Sequence, residues 1–234
     1  MRIILVFILL LFVHPLSAQL KKGKYADGVE IRKGVKFTSL TFSTSSREAD
    51  NEPQLFTYMV KQKKSSLESR LDAGYVIRQN LAVGAGFLYG YKKDMNTQRA
   101  SDGTITDVNS YERDFAFRPF VKNFLPLGNS KKFYVIIPTE LQIGYGSRVT
   151  ESTTNGVLTR TYTTSNFYGL QMRPGVLAFI VENFGFEVNV GAFGLSRTRQ
   201  KIETSGQPDG EVKSSDLDLK INLLQLSFGF AAYF

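Results

Sequence analysis

The 234-residue chain contains no cysteine and no tryptophan, and its single histidine, His14, lies in the first apolar stretch. Zinc sites draw on Cys and His, thiol nucleophiles need Cys, and a Ser-His-Asp triad needs the imidazole. Most hydrolytic and metal chemistry thereby loses its usual side chains, so neither a cofactor nor an enzyme is expected. Carboxylates alone, such as Asp72 with Glu68 or Glu140, are the acid-base groups that remain. Long apolar runs are also scarce. After Gln19 none approaches the ~20 residues of a spanning helix, so a membrane protein with this sequence has to cross as a closed set of strands. A composition of 42% hydrophobic and 21% charged residues is nonetheless that of a folded chain.

The opening segment is read before any fold argument. Met1-Arg2 supplies a positive start, Ile3 to Val13 is unbroken apolar sequence, and Leu16-Ser17-Ala18 puts small residues before Gln19. This pattern is a secretory signal over 1–18, and the apolar run is only about half the length of a spanning helix. Its removal takes His14 with it. Residues 19–33 form an N-terminal segment whose Lys21, Lys22, Lys24, Arg32 and Lys33, with Lys36 after them, are expected to meet anionic headgroups on the periplasmic side. The formal net charge of +8 does not imply nucleic acid, because export removes that partner.

From 34 to 234 a period of two recurs. Leu224, Leu226, Phe228, Phe230, Ala232 and Phe234 alternate with Gln225, Ser227, Gly229, Ala231 and Tyr233. The same split runs through Phe184 to Ala192, Leu81 to Tyr91 and Val135 to Tyr145, and more weakly through Leu67 to Ile77, Tyr111 to Phe124 and Phe167 to Ile180. Near Val35 to Ser43 the parity changes between Phe37 and Leu40, which predicts a bulge. Pro119, Pro138 and Pro174 fall inside predicted strands, and local bulges are expected there because proline cannot donate to the ladder.

Long polar connections (44–64, 94–110, 148–165, 197–216) alternate with short ones (78–80, 125–131, 181–183). This rhythm predicts an all-β, antiparallel transmembrane barrel of about eight strands, with long extracellular loops and short periplasmic turns. Two turns test the register. Asn155-Gly156 as a two-residue turn pairs Glu140 with Gln171 and Gln142 with Gly169, while a three-residue turn at Arg78 to Asn80 pairs Ala73 with Ala85 and Tyr75 with Val83.

The polar face carries Glu68, Arg70, Asp72, Asp114, Arg118, Lys122, Glu140, Arg173 and Glu187, with many glycines between them. Mixed charge with glycine suits a narrow interior better than an open surface, since glycine weakens a strand but leaves room for long neighbours. Buried charges have to be paired, so Arg118 and Arg173 are each expected to meet a carboxylate, Glu140 and Glu187 first. The apolar face then meets lipid, with Tyr89, Tyr91, Tyr111, Tyr145 and Tyr168 as one girdle and Tyr75, Phe133, Phe184, Phe186 and Phe234 as the other. Cations at the rim (Lys61, Lys63, Lys64, Lys92, Lys93, Arg148, Arg160, Arg197, Arg199, Lys201) suit the phosphates of an outer-leaflet glycolipid.

The stretch from Gly74 through Arg78-Gln79-Asn80 to Gly86 resembles the strand-turn-strand signature of the small outer-membrane β-barrel domain family, of the OmpA and OmpX type. Arg118-Pro119-Phe120-Val121 resembles a second stretch of it. The ending Phe-Gly-Phe-Ala-Ala-Tyr-Phe, with Phe228, Phe230 and Phe234, resembles the signal read by the outer-membrane assembly machinery. The resemblance implies a Gram-negative outer-membrane location, with membrane lipids, glycolipid, that machinery and an unidentified extracellular loop ligand as partners. Two functions follow as expectations: a charge-plugged, non-enzymatic barrel that stabilises the membrane or presents loops, or a small porin or transport barrel for small solutes or apolar molecules.

Overall fold

The computed structural model describes residues 30–53, 57–100, 103–128, 131–191, 193–204, 210–218 and 226–234; the expected signal over 1–18, residues 19–29 and Leu224 lie outside the described residues. The described chain is antiparallel β throughout: β1 (Lys36–Pro53), β2 (Thr57–Arg78), β3 (Leu81–Ala100), β4 (Ile105–Pro126), β5 (Phe133–Thr154), β6 (Val157–Met172), β7 (Gly175–Val181), β8 (Phe184–Asn189), β9 (Phe193–Thr204), β10 (Gly210–Asp218) and β11 (Ser227–Tyr233). Eight of these close a hydrogen-bonded ring in the order β1-β2-β3-β4-β5-β7-β8-β11, with β11 returning to β1 through Phe37↔Tyr233 to Phe42↔Phe228. The β5–β7 link is Phe133↔Ala178 to Ile136↔Gly175. Beyond it, β6, β9 and β10 extend the sheet from β5 toward the hairpin end.

Turn chemistry sets this register. Asn80 (φ 63°), Asn155 (φ 51°) and Asn183 (φ 70°) take the left-handed conformation that tight hairpins require and that Asn tolerates. As the turn geometry demands, Glu140 pairs with Gln171 and Gln142 with Gly169, and Ala73 pairs with Ala85 and Tyr75 with Val83. Two of the asparagines also anchor neighbouring strands: the Asn80 carbonyl accepts from Phe124 N (2.9 Å) and the Asn183 carbonyl from Tyr233 N (2.7 Å). Asn80 N in turn donates to Ile31 O (2.9 Å), so the chain joins the ring's interior before β1 begins.

Several expectations are corrected. The β1 register runs without a shift against both neighbours, so the bulge between Phe37 and Leu40 is absent. Phe37 changes parity because it points inward, where it is 1% exposed. No bulge forms at Pro119 or Pro138 either. The β4–β5 ladder passes over Arg118 and Pro119 and resumes in register at Phe120↔Glu140. Pro138 remains paired with Lys122, and its carbonyl accepts from Arg173 N at 3.1 Å. Only Pro174 interrupts a strand. There the Gly175↔Asn189 and Met172↔Phe193 pairs bracket two residues on one strand and three on the other, a bulge-like count. Finally, the four long polar connections are largely strand, with β1 and β2 paired out to Pro53↔Tyr58 and β5 and β6 to Thr154↔Val157.

Alternate side chains fall on two surfaces. Outward positions are apolar and exposed, including Phe87, Phe115, Tyr145, Tyr168, Phe228 and Phe230. Inward positions at the short-turn end are also apolar: Ile31, Phe37, Phe120, Phe124, Tyr134, Phe179 and Tyr233 pack into one buried cluster. Phe37 stacks on Tyr233 at 5.4 Å between centroids, and Phe179 meets the same ring edge-on at 5.1 Å. Such pairs add about 0.5–1.5 kcal/mol each beyond the area they bury.

Glycines make this interior possible. A Cβ on Gly84 would overlap the Ala73 carbonyl and the Phe120 ring, whereas one on Gly90 would lie 3.4 Å from the nearest atom, an ordinary contact. Gly84→Ala is therefore expected to cost about 1–3 kcal/mol as overpacking. Melting of the folded form, followed by gel mobility without boiling, should fall for Gly84→Ala and stay near the parent for Gly90→Ala.

Candidate functional site

Above the aromatic cluster the ring interior is filled with charge. Glu140, on β5 and 1% exposed, is the centre of the assembly. Its Oε2 accepts from Arg118 Nε on β4 (3.2 Å) and from Arg118 Nη2, and its Oε1 accepts from Arg173 Nε (2.8 Å), next to the Pro174 interruption. Arg173 Nη2 also donates to Gln171 Oε1 at 3.0 Å. Arg118 Nη1 faces Asp72 Oδ1 of β2 at 3.5 Å, too long for a hydrogen bond, and neither atom has another partner. One carboxylate thus serves both arginines.

Glu187 does not meet Arg118 or Arg173 as expected; its partner is Lys122, whose Nζ donates to Glu187 Oε1 at 2.6 Å. Tyr233 OH donates to the same oxygen at 3.3 Å, which ties the charge layer to the aromatic cluster. Lys122 also lies 5.1 Å above the Phe37 ring, a cation–π contact that offsets part of its desolvation. Arg70 pairs with Glu68 along its own strand, Nε to Oε1 2.7 Å. Asp114 is set apart from these groups: Lys92 Nζ reaches it at 3.2 Å and Glu112 at 2.7 Å, and Arg148 Nε donates to Glu112 at 2.7 Å. All nine charged residues singled out from the sequence share the inward side, in two layers. Gly144, over which the Phe167 ring lies, sits between those layers on β5.

The layers are tight. A Cβ on Gly86 would overlap the Asp72 carboxylate, and one on Gly146 would crowd Asp114 and Ser165. The space left among Asp72, Arg118, Glu140 and Arg173 is ≈ 20 Å³, room for about one water. At the hairpin end, outside the ring, Lys63 bonds Glu48 and holds its carboxyl below the usual carboxylate range, and Arg199 does the same to Glu211.

Sequence reasoning missed the aromatic cluster and the Lys92–Glu112–Arg148 set. The signals were present: Phe37 breaks the parity of its strand, Phe120 and Phe124 share parity with Arg118, and Glu112 shares parity with Asp114. Phe228, Phe230 and Phe234 lie on the outer face at the chain's end, each 48% exposed. Among the described residues no cluster of His, Cys, Asp and Glu could hold a metal ion.

The outer face is banded. One row of register partners runs Leu71, Phe87, Phe117, Ile143, Tyr168 across β2 to β6. It lines a shallow outer concavity of ≈ 630 Å³. Phe87 packs on Phe117 at 5.5 Å and Tyr89 on Phe115 at 5.1 Å.

No family model and no curated protein matches the chain. Among solved structures it is similar to the outer membrane protein OprG from Pseudomonas aeruginosa, at 15% identity and a TM-score of 0.43, over 89% of this chain and 98% of that one. It is also similar to a major outer membrane protein from Thermus thermophilus, at 12% identity and a TM-score of 0.41, over 86% of this chain and 99% of that one. At these values the functional reading rests on the chain's own geometry.

Glu140→Gln leaves both Arg118 and Arg173 short of their counter-charge in a dry site. The expected loss is about 3 to 5 kcal/mol, because uncompensated buried charge is what makes breaking such a pair costly. Glu211→Gln, at an exposed ion pair, should change little. Thermal denaturation of the two variants side by side checks this, and equal effects would show that the interior is wet.

Proposed function

We propose that the chain is a non-enzymatic outer-membrane β-barrel protein with a closed lumen, which stabilises the membrane or presents its hairpins to partners. The observation that carries this reading is the filled interior: an aromatic cluster at the short-turn end, then paired charge above it. In a soluble barrel the apolar side faces inward throughout; here the outward side is apolar along the ring, and the central interior carries the charges. On the outer side of β4 the apolar residues are Phe115, Phe117, Pro119, Val121 and Leu125, with Asn123 among them and Arg113 following Phe115, and on β5 they run from Phe133 to Tyr145 with Thr139 between. A tilted membrane strand needs about 9–11 residues, so either run is long enough to cross.

The ends are assigned on the same grounds. The short turns at Asn80 and Asn183 face the periplasm, and the long hairpins face outward. The Tyr75, Phe133 and Phe234 girdle then lies at the inner interface and the Tyr111, Tyr145 and Tyr168 girdle at the outer one, where amphipathic rings are favoured. The exposed Phe228, Phe230 and Phe234 supply the terminal apolar pattern for the assembly machinery. The finer OmpA- and OmpX-like relationship belongs to this proposal, as does export by the 1–18 signal.

Two closures in series oppose conduction. An ion entering from the hairpin end meets the Glu140 layer, where the space left is ≈ 20 Å³, and then the buried rings of Phe37, Phe124, Tyr134 and Tyr233. In planar bilayers the purified chain is expected to show no steady current. Phe37→Ala combined with Tyr233→Ala removes two rings of the cluster and should produce brief or steady openings if the protein still migrates as a folded barrel without boiling. Steady, large conductance by the unaltered chain would instead establish the transport barrel.

A further inference from the structure

The cations at the hairpin end differ in whether each has a carboxylate of its own. Lys92 and Arg148 turn inward onto Glu112. Lys63 is bonded to Glu48 at 2.6 Å, Lys64 to Asp94 at 3.2 Å and Arg160 to Glu151. On the outer side of β9, by contrast, Arg197, Arg199 and Lys201 are all exposed at alternate positions, with Ser196, Thr198 and Gln200 turned the other way. Lys213 of β10 is the register partner of Arg199. Glu211 is bonded to Arg199, lies 3.8 Å from Lys213 and faces Lys201 as its register partner, so three cations share one carboxylate, and among the described residues Arg197 forms no ion pair.

Like charges opposed across a ladder are destabilising, so a column of this kind has a cost that an external anion would remove. Its position indicates which anion. Leu195, 53% exposed, is the last apolar residue on the outer side of β9, and Arg197 follows directly on the same side. Arg197 is the register partner of Tyr168, and Leu195 of Leu170. Apolar surface below and unpaired guanidinium above match a lipid that carries phosphate on its headgroup. Free phosphate or a nucleic acid would have no use for the apolar part. Residues two apart on a strand are separated by about 6.7 Å, so the column spans about 13 Å, enough to engage two phosphates on one headgroup. Arginine adds bidentate geometry to that contact.

We propose that the Arg197–Arg199–Lys201 column of β9, with Lys213 beside it, is a binding site for a phosphorylated glycolipid of the outer leaflet, its acyl chains lying along Leu195, Leu170 and Tyr168. The site rests on the outer-membrane reading above, and the test separates the two.

The full chain, folded in neutral detergent, is titrated with bisphosphorylated lipid A, with the same lipid after dephosphorylation, and with inorganic phosphate, and bound lipid is read by native mass spectrometry and by the melting of the unboiled gel form. Binding and a raised melting temperature are expected with the bisphosphorylated lipid alone. The triple variant Arg197→Gln, Arg199→Gln, Lys201→Gln should weaken binding at least tenfold, whereas Lys63→Gln with Arg160→Gln, which alters cations that each have a carboxylate of their own, should not. All the altered side chains are exposed, and the unboiled gel form without lipid confirms that each variant is folded. Equal binding of the dephosphorylated lipid, equal loss in both variants, or displacement by millimolar inorganic phosphate overturns the site. Absence of the protein from the outer-membrane fraction overturns the location instead, whatever the binding result.

Discussion

Closure of the hydrogen-bonded ring is the constraint from which the other features follow. Once β11 returns to β1 and β7 to β5, every ring strand has a neighbour on each side and each alternate side chain must face one of two media. A bilayer offers no partner to an open strand edge, so closure is also the condition for a sheet to cross it. The ring's diameter is small enough that interior side chains touch across it, and glycine at positions such as Gly86 and Gly144 decides where a carboxylate or a ring can lie.

Charge and aromatic packing act differently inside that ring. The Glu140 layer fixes the relative position of β4, β5 and the Arg173 corner through directed bonds, and it is intolerant of losing one partner. The aromatic cluster is less directional and excludes water from the short-turn end. Tyr233 joins them, with its ring among Phe37, Phe124 and Phe179 and its hydroxyl on Glu187. Because its backbone N–H is held by the Asn183 carbonyl, a turn residue positions the ring that links both layers.

Much of this architecture was legible in the sequence, and the reasons for the exceptions are physical. The turns at Asn80 and Asn155 fixed register because left-handed asparagines admit few hairpin lengths. Parity then placed the inward charges. It failed at Phe37, because an apolar residue reads as lipid-facing although the interior also has an apolar end. It failed again in the long connections. Above the apolar band both sides of a strand meet water, so Ser- and Thr-rich stretches such as Val149 to Thr161 pair across strands without any hydrophobic alternation to reveal them. Pro119 caused no bulge because the ladder simply passes over it. The shared use of Glu140 by two arginines was not legible, since spacing along a strand says nothing about which of several inward charges meet across the ring.

Gly86 and Asp72 are register partners on adjacent strands, and the carboxylate occupies the space where a Cβ on Gly86 would stand. The two positions are therefore a single volume divided between two residues. In related chains they should change together: a larger residue at the glycine position should accompany a shorter one opposite it, and with that exchange the Arg118 guanidinium would lose its neighbour. Drift at either position alone is opposed by overlap in one direction and, in the other, by leaving Arg118 with only the Glu140 carboxylate that it shares with Arg173, so this pair should evolve in steps of two substitutions rather than one.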